Sequence, residues 1–257
     1  MKHGVKILAI SGIFSFGIVL GFLWRHALFT HNYLSLMSSL WPEAVGIIFT
    51  VCIIDQINKH RSDNELKDQL IREISNIDNG LAARAFKELR AKKWLLDGSL
   101  TSRDLSRANL VGLNFQGADL RKCNLSNSNF VKSKFENANL FNTNLRGSNF
   151  QKTILSQAIL VQSNGEYVDF RFAYLWKADL SNSYLKEATF QNANLVGTIL
   201  KEANLTGANI SGADLSEADL SGAILDDIIF DERTILPNGE MVEMHVGIEQ
   251  LKKFSLI

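Results

Sequence analysis

The sequence predicts an α+β chain, mainly β, in which apolar and then polar helices lead into a solenoid. Three observations carry that prediction. Two apolar stretches occupy the first sixty residues, a charged stretch with a helical apolar stripe follows, and from Leu105 onward a bulky apolar residue recurs at every fifth position. They divide the chain into a transmembrane helical hairpin over 1–58, a helical neck and N-terminal cap over 59–97, the solenoid over 98–239, and a C-terminal cap or dimerisation segment over 240–257.

The first apolar stretch, 7–24, reads ILAISGIFSFGIVLGFLW and carries no charge. As a helix it rises about 27 Å, close to the lower limit for a hydrocarbon core about 30 Å thick. A basic start and an apolar run also fit a secretory signal, but Phe22, Leu23, Trp24, Arg25 and His26 supply no small-residue cleavage pattern. The second stretch is interrupted by Pro42 and Glu43, and its uncharged part, 44–54, is too short to span by itself. A span over about 34–54 is therefore expected, with Glu43 near the outer interface. Glu43 reads as a helix start after Pro42, or as an intramembrane polar group partnered by Arg25 or His31. Lys2 and Lys6 precede the first span and Lys59, Arg61, Lys67 and Arg72 follow the second, against Arg25 alone in the loop. The positive-inside rule then predicts a multi-pass protein of the plasma membrane, with both termini and the solenoid cytoplasmic.

The neck follows. Leu66, Leu70, Ile71, Ile74, Ile77, Leu81, Ala85, Phe86 and Leu89 recur at threes and fours, the spacing of an amphipathic helix. Asp78-Asn79-Gly80 is expected to break it in two. The stripe has two possible covers, the end of the solenoid or a second copy of the chain. Trp94-Leu95-Leu96 reads as a helix end that plugs an open core.

The solenoid is the strongest signal. Leu, Phe or Ile holds 25 of the 26 fifth positions from 105 to 230, and Gly165 is the exception. Two places earlier the residue is small at 22 of them, and one place earlier it is Asp or Asn at 17. An α-helix would spread such a series around its whole surface, and a strand would alternate it between faces. A chain that turns a corner every five residues satisfies the word A-(D/N)-L-x-x. The large residue fills the axis, the small one tucks beneath it, and Asn or Asp bonds the backbone at the corner.

The runs ADLRKCNLSNSNF, ANLFNTNL and ANLTGANISGADLSEADLSGAIL, closed by TILPNG, resemble the pentapeptide repeat family over residues 100–239. The segment AARAFKELRAKKWLLDGSL also looks like the helical lead-in of membrane-attached members. The resemblance implies a right-handed, four-sided parallel β-helix with four words per coil. Residue identities sort as such a coil requires: Phe130, Phe150, Phe170 and Phe190 fall twenty apart, while Leu120, Leu140, Leu160 and Leu180 form the column half a coil away. The ends of such a stack need caps. Trp94 is expected at the first coil, and residues 241–257 at the last or in a dimer contact.

Net charge is zero, from 27 acidic and 27 basic residues, so no nucleic-acid partner is expected. The distribution is uneven, with a net +5 over 103–152 and −6 over 153–230. Around Ser163-Asn164-Gly165-Glu166-Tyr167-Val168 the word deteriorates, and Asn-Gly reads as a turn or bulge. Nearby, Tyr167, Phe172, Tyr174, Trp176 and Tyr184 occupy outward places elsewhere given to Ser, Asn, Gln or Gly. Stacking at twenty adds Ile154 beside Tyr174 and Val196 beside Trp176. These seven residues form the candidate partner-binding patch; packing over the bulge or against the neck is the competing explanation.

Catalysis finds no support. His3, His26, His31, His60 and His245 are scattered, Cys52 and Cys123 are too few for a disulfide framework or zinc site, and no phosphate loop is present. Cys123 stands at a small-residue place and reads as a buried filler. No cofactor or metal is expected. The leading expectation is a non-catalytic, membrane-anchored scaffold that presents the solenoid to a cytoplasmic protein partner. The alternatives are an accessory subunit of a membrane transport or envelope-assembly complex acting through Glu43, and a topoisomerase-protecting DNA mimic, against which the basic half and the hairpin count.

Overall fold

Burying one bulky side chain per five residues requires a chain that bends at regular intervals, and the computed structural model, which describes residues 33–243 and 247–256, bends at every word. Two compact units make up the chain, Met1–Asn64 and Glu65–Ile257.

In the first unit, helix α1 (Tyr33–Ile74, 42 residues) begins before Pro42 and runs through it, although proline removes one amide donor. The expected helix start at Pro42–Glu43 is therefore absent. The expected span over 34–54 is corrected too: it is the first half of a helix that continues into charged sequence. Among the described residues no helix is long and apolar enough to cross a membrane. The other expected span, 7–24, lies outside the described residues. Val45, Ile47, Ile48, Phe49, Val51 and Ile53 are exposed around the α1 surface.

The second unit begins with the end of α1, where Leu70, Ile71 and Ile74 are buried. The break falls at 75–78, and Asp78 caps helix α2 (Asn79–Ala91) by accepting from the N–H groups of Gly80 at 2.7 Å and Leu81 at 3.4 Å. Helix α2 buries Ala82, Ala85, Phe86 and Leu89. Ile77 and Leu81, assigned to the same stripe by their spacing, are exposed because they flank the break. The expected plug of the first coil, Trp94-Leu95-Leu96, holds at Leu95 and is corrected at Trp94 and Leu96. The Phe86 ring lies 4.5 Å from Phe115, with Leu89 and Leu95 buried beside it. Trp94 is only half-buried, with the Lys67 and Lys92 ammonium groups 4.9 and 4.8 Å from its ring. The neck also pairs with the open backbone edge: Asn109 N–H donates to the Asn76 carbonyl at 3.2 Å and Asp119 N–H to the Leu95 carbonyl at 2.9 Å. An edge so covered cannot recruit another strand.

From Asp104 each residue before a bulky centre bridges, in parallel, the residue twenty places on, as in Asn129 with Asn149 and Asn149 with Asp169. Twenty residues per coil with four turns give four faces. The first carries the centres Leu125 and Leu145, the second Phe130 and Phe150, the third Phe135 and Leu155, and the fourth Leu140 and Leu160, all buried. The phenylalanine column of the second face stacks with centroids 4.7 Å apart at Phe130–Phe150, 5.3 Å at Phe150–Phe170 and 5.2 Å at Phe170–Phe190. A shorter column on the third face, Phe115–Phe135 at 4.6 Å, meets Phe130 edge-on. Such tilted and offset contacts add to burial energy.

At sixteen of the seventeen Asp or Asn places the side-chain oxygen accepts from the N–H two residues ahead, as Asp169 does from Arg171 at 3.0 Å. Such bonds close the corner in sequence. Asn109, beside the neck, is the exception.

The bulge expected around Gly165 is not there. Asn164 bridges Tyr184 in register and Gly165 N–H donates to the Tyr184 carbonyl at 2.7 Å. A Cβ on Gly165 would stand 2.9 Å from Leu185 Cδ2 and 3.2 Å from Val168 Cγ1. Leu185 and a valine in a small-residue place fill the volume that the missing side chain leaves. The one slip of register comes later: Asp214 bridges Ile235, twenty-one places on. Asp231, in that extra turn, accepts from Gly212 N–H at 2.8 Å. Beyond it Ile235 pairs antiparallel with Met241, and helix α3 (Gly247–Ser255) buries Leu251. Gly222 N–H, which has no further coil to bond, donates to the Ser255 carbonyl at 2.8 Å. Gly247 is required there, since a Cβ would lie 2.5 Å from both Phe230 and Val242.

Candidate partner-binding surface

The inner half of each word is committed to the core, so binding must use the residue before the centre and the two corner residues after it. The second corner residue has a positive φ throughout, from 52° to 60° at its non-glycine members between 102 and 227. That region favours glycine and asparagine.

The seven candidate residues separate on this frame. Phe172, Tyr174 and Trp176 come together: Tyr174 is mid-strand on the third face, and Phe172 and Trp176 occupy the corners before and after it. Ile154 bridges Tyr174 on the adjacent coil, and Val196 lies one coil beyond Trp176, its carbonyl accepting from Lys177 N–H at 3.0 Å. Phe172 is 54% and Tyr174 48% exposed. Two members fall elsewhere. Tyr184 is on the first face, opposite this surface, and 63% exposed. Tyr167 sits at the corner between first and second faces, under the Arg146 guanidinium at 5.2 Å, and its hydroxyl is 3.4 Å from Glu187 Oε1. Phase in the coil, rather than nearness in sequence, decides which aromatics share a surface. There is no bulge for the patch to pack over, and Tyr167, Phe172, Tyr174 and Tyr184 are exposed while Ile154, Trp176 and Val196 are half-buried.

Two residues extend the surface that sequence inspection passes over. Ile159 and Ile199 are exposed on the fourth face, beyond the Trp176 corner. The signal was present in the word: both replace the usual Asp or Asn, as do Ile154 and Tyr174. Each replacement gives up the corner hydrogen bond, worth about 0.5–1.5 kcal/mol. Phe172 holds φ 57°, a strained setting for a bulky side chain. The surface is thus built against local preference.

Its border is basic. Lys132 and Lys152 precede Phe172 in one corner column, Lys134 precedes Ile154 in the strand column, and Lys177 follows Trp176. Lys152 Nζ stands 5.8 Å above the Phe172 ring and Lys177 Nζ 4.7 Å above Trp176.

The first face contrasts with it. Asn144 Nδ2 donates to Asn124 Oδ1 at 3.1 Å and Asn124 Nδ2 to Asp104 Oδ1 at 3.1 Å, a ladder that satisfies itself. Burial opposes ionisation of Asp169 on the second face, but hydrogen bonds from Arg171 and Gln151 outweigh it and hold the carboxyl below the usual range. Burial likewise pushes the Cys123 thiol up to about 12, and its Sγ–H donates to the Leu100 carbonyl at 2.8 Å, which makes it an inert core group. Glu43 is exposed on α1 in the other unit. Among the described residues no three His, Cys, Asp or Glu side chains converge as a metal site would require.

Stacked coils of one short word define a class: solenoids whose interior is repetitive and whose function is confined to outward places. The family model for pentapeptide repeats matches in 8 copies, over residues 104–140, 128–164, 166–201 and 198–231. Through this solenoid the chain is a pentapeptide repeat protein. Three similar solved structures are a trypsin-treated form of QnrB1, a plasmid-mediated fluoroquinolone resistance protein (16% identity, 62% of this chain and 93% of that one, TM-score 0.41); HetL, involved in heterocyst differentiation regulation in the cyanobacterium Nostoc sp. strain PCC 7120 (22%, 61% and 98%, 0.24); and Rfr23 from the cyanobacterium Cyanothece 51142 (26%, 57% and 97%, 0.27). No curated protein sequence matches the chain.

Proposed function

We propose that this protein is a non-catalytic, membrane-tethered scaffold whose solenoid docks a protein partner on the third face and its two flanking corners. One observation carries the reading: Ile154, Phe172, Tyr174 and Trp176 gather at places where the word would put polar or flexible residues, and the chain forgoes corner hydrogen bonds and accepts left-handed strain to hold them there. A rigid platform with aromatic anchors suits binding, because little side-chain or backbone ordering remains to be done on association. The tether rests on residues 7–24, and on the exposed apolar run 44–54, which needs a bilayer or other helices to cover it.

The full chain, isolated from its own membranes with bound proteins, tests the docking reading. A Tyr174→Asn/Trp176→Ala variant is expected to lose the bound partner at least tenfold while Glu43→Gln retains it. Retention by the first variant and loss by the second would favour the accessory-subunit alternative instead. Alkaline extraction of the membranes tests the tether: release of the chain into the soluble fraction would rule it out.

A further inference from the structure

We infer that the partner meets this surface with an acidic segment, its carboxylates on the lysine border and an apolar residue against Tyr174 and Trp176. The inference rests on the third face being the docking surface and names the chemistry of what docks. Five arginines are matched by carboxylates of the chain itself: Arg121 by Asp119 at 2.7 Å, Arg171 by Asp169 at 2.7 Å, Arg233 by Asp231 at 2.6 Å, Arg103 by Asp68 at 2.9 Å, and Arg146 by Glu166. Lys132, Lys134, Lys152 and Lys177 join no ion pair among the described residues, and all four border the apolar patch.

The cations are placed for a ligand. Lys152 and Lys177 lie over aromatic rings, so their ammonium groups are held at the edge of the apolar surface. Lys134, Ile154 and Tyr174 occupy successive coils of one strand column, which puts the lysine about 10 Å up the solenoid from the tyrosine at a strand spacing near 4.8 Å. Over residues 131–199 the columns of this surface contain two carboxylates against the four lysines: Glu136, whose Oε2 is buried, and Asp179, between Ile159 and Ile199, which accepts from Ser181 N–H at its own corner. The local field is therefore positive, and a partner of opposite sign is favoured in both encounter and register.

A nucleic acid strand would also offer negative charge to lysines and bases to aromatics. Two observations favour a protein segment. Four of the seven apolar contacts, Ile154, Ile159, Val196 and Ile199, are aliphatic and suit side chains better than base planes. The solenoid is acidic beyond the patch, where Lys201 stands against Glu202, Asp214, Glu217, Asp219, Asp226 and Asp227 over 200–230, a net −5, which repels a polyanion longer than the patch but leaves room for a short acidic segment.

The test uses the full chain in its own membranes, with photoreactive benzoylphenylalanine at Ser156, one coil above Trp176 in the same corner column. The crosslinked peptide is sequenced, and its yield is compared in K132E/K134E/K152E and K132R/K134R/K152R. The expected result is a peptide of net negative charge, a yield lowered at least tenfold by the glutamate set and unchanged by the arginine set, and loss of the adduct as salt rises through the range where the screening length falls to about 3 Å. A neutral or basic peptide, a nuclease-sensitive adduct, a lipid adduct, an adduct to a second copy of the chain, or a yield indifferent to the glutamate set would overturn the acidic-segment inference. Absence of any adduct, with the thermal midpoint unchanged, would remove the docking reading itself and this inference with it.

Discussion

The first and third faces of the solenoid share a core and a backbone path, yet they use the same outward place in opposite ways. On the first face Asp104, Asn124 and Asn144 spend their side chains on their own corners and on one another. On the third, Lys134, Ile154 and Tyr174 hold that place and leave their corners without the bond. Over these coils the first face is finished by the chain alone, and the third has bonding and burial capacity left for something else; lower down, exposed Tyr184 departs from the word on the first face as well. In a repeat protein the stable word is therefore a reference against which departures can be read. Gly165 is the instructive contrary case, since its departure is inward and neighbouring side chains absorb it.

Removing the shared core should erase the contrast. Phe150→Ala leaves a void among Phe130, Phe135 and Phe170, and a loss of about 3–5 kcal/mol is expected in a denaturant titration, with the signals of both faces moving together. If the faces unfold separately, the core is not shared. Gly165→Leu should cost about 1–3 kcal/mol through contact with Leu185 and Val168. Adding Val168→Ala should recover part of that loss, and a neutral single variant would show the compensation to be absent.

The next pair of changes sharpens the comparison directly. On the first face, Asn144→Ala removes a corner acceptor and a rung of the ladder, so about 1 kcal/mol should be lost with partner capture intact. On the third face, Tyr174→Asn supplies a corner acceptor and Phe172→Gly relieves the left-handed strain; stability should hold or rise by up to about 1 kcal/mol while capture fails. Equal losses of stability on the two faces would dissolve the distinction between them.

The smallest effect is in acid. The backbone N–H and hydroxyl of Ser106, with help from Asn124, outweigh burial and hold the Asp104 carboxyl below its ordinary value. A carboxylate with a depressed folded value contributes stability above the unfolded value, near 3.9, and loses it as pH falls through the folded one. Loosening of the Asp104–Ser106 corner is thus expected below about pH 4, followed by the Ser106 amide resonance, and Asp104→Asn should flatten that titration.

Much of this was legible in sequence because it is periodic. A spacing of five with small and Asx residues at set offsets determines which atoms face inward, and the phenylalanines at 130, 150, 170 and 190 determine the number of sides. The helix break at Asp78 was legible for a local reason, the capping chemistry of a short side chain. Other features depend on which segments meet. That the Phe86 ring rather than Trp94 meets Phe115 at the first coil depends on how α2 packs there, on residues nearly thirty positions apart. Whether Asn-Gly at 164–165 bulges depends on Leu185, twenty residues away, moving into the space. Which of five neighbouring aromatics form one surface is a matter of phase, because a shift of two residues carries a side chain from a face to a corner, and a shift of ten carries it to the opposite side. Sequence determined the repeating unit, since every word satisfies its own geometry; tertiary structure decided the ends, the compensation and the surface, since each of those depends on atoms brought together from different coils.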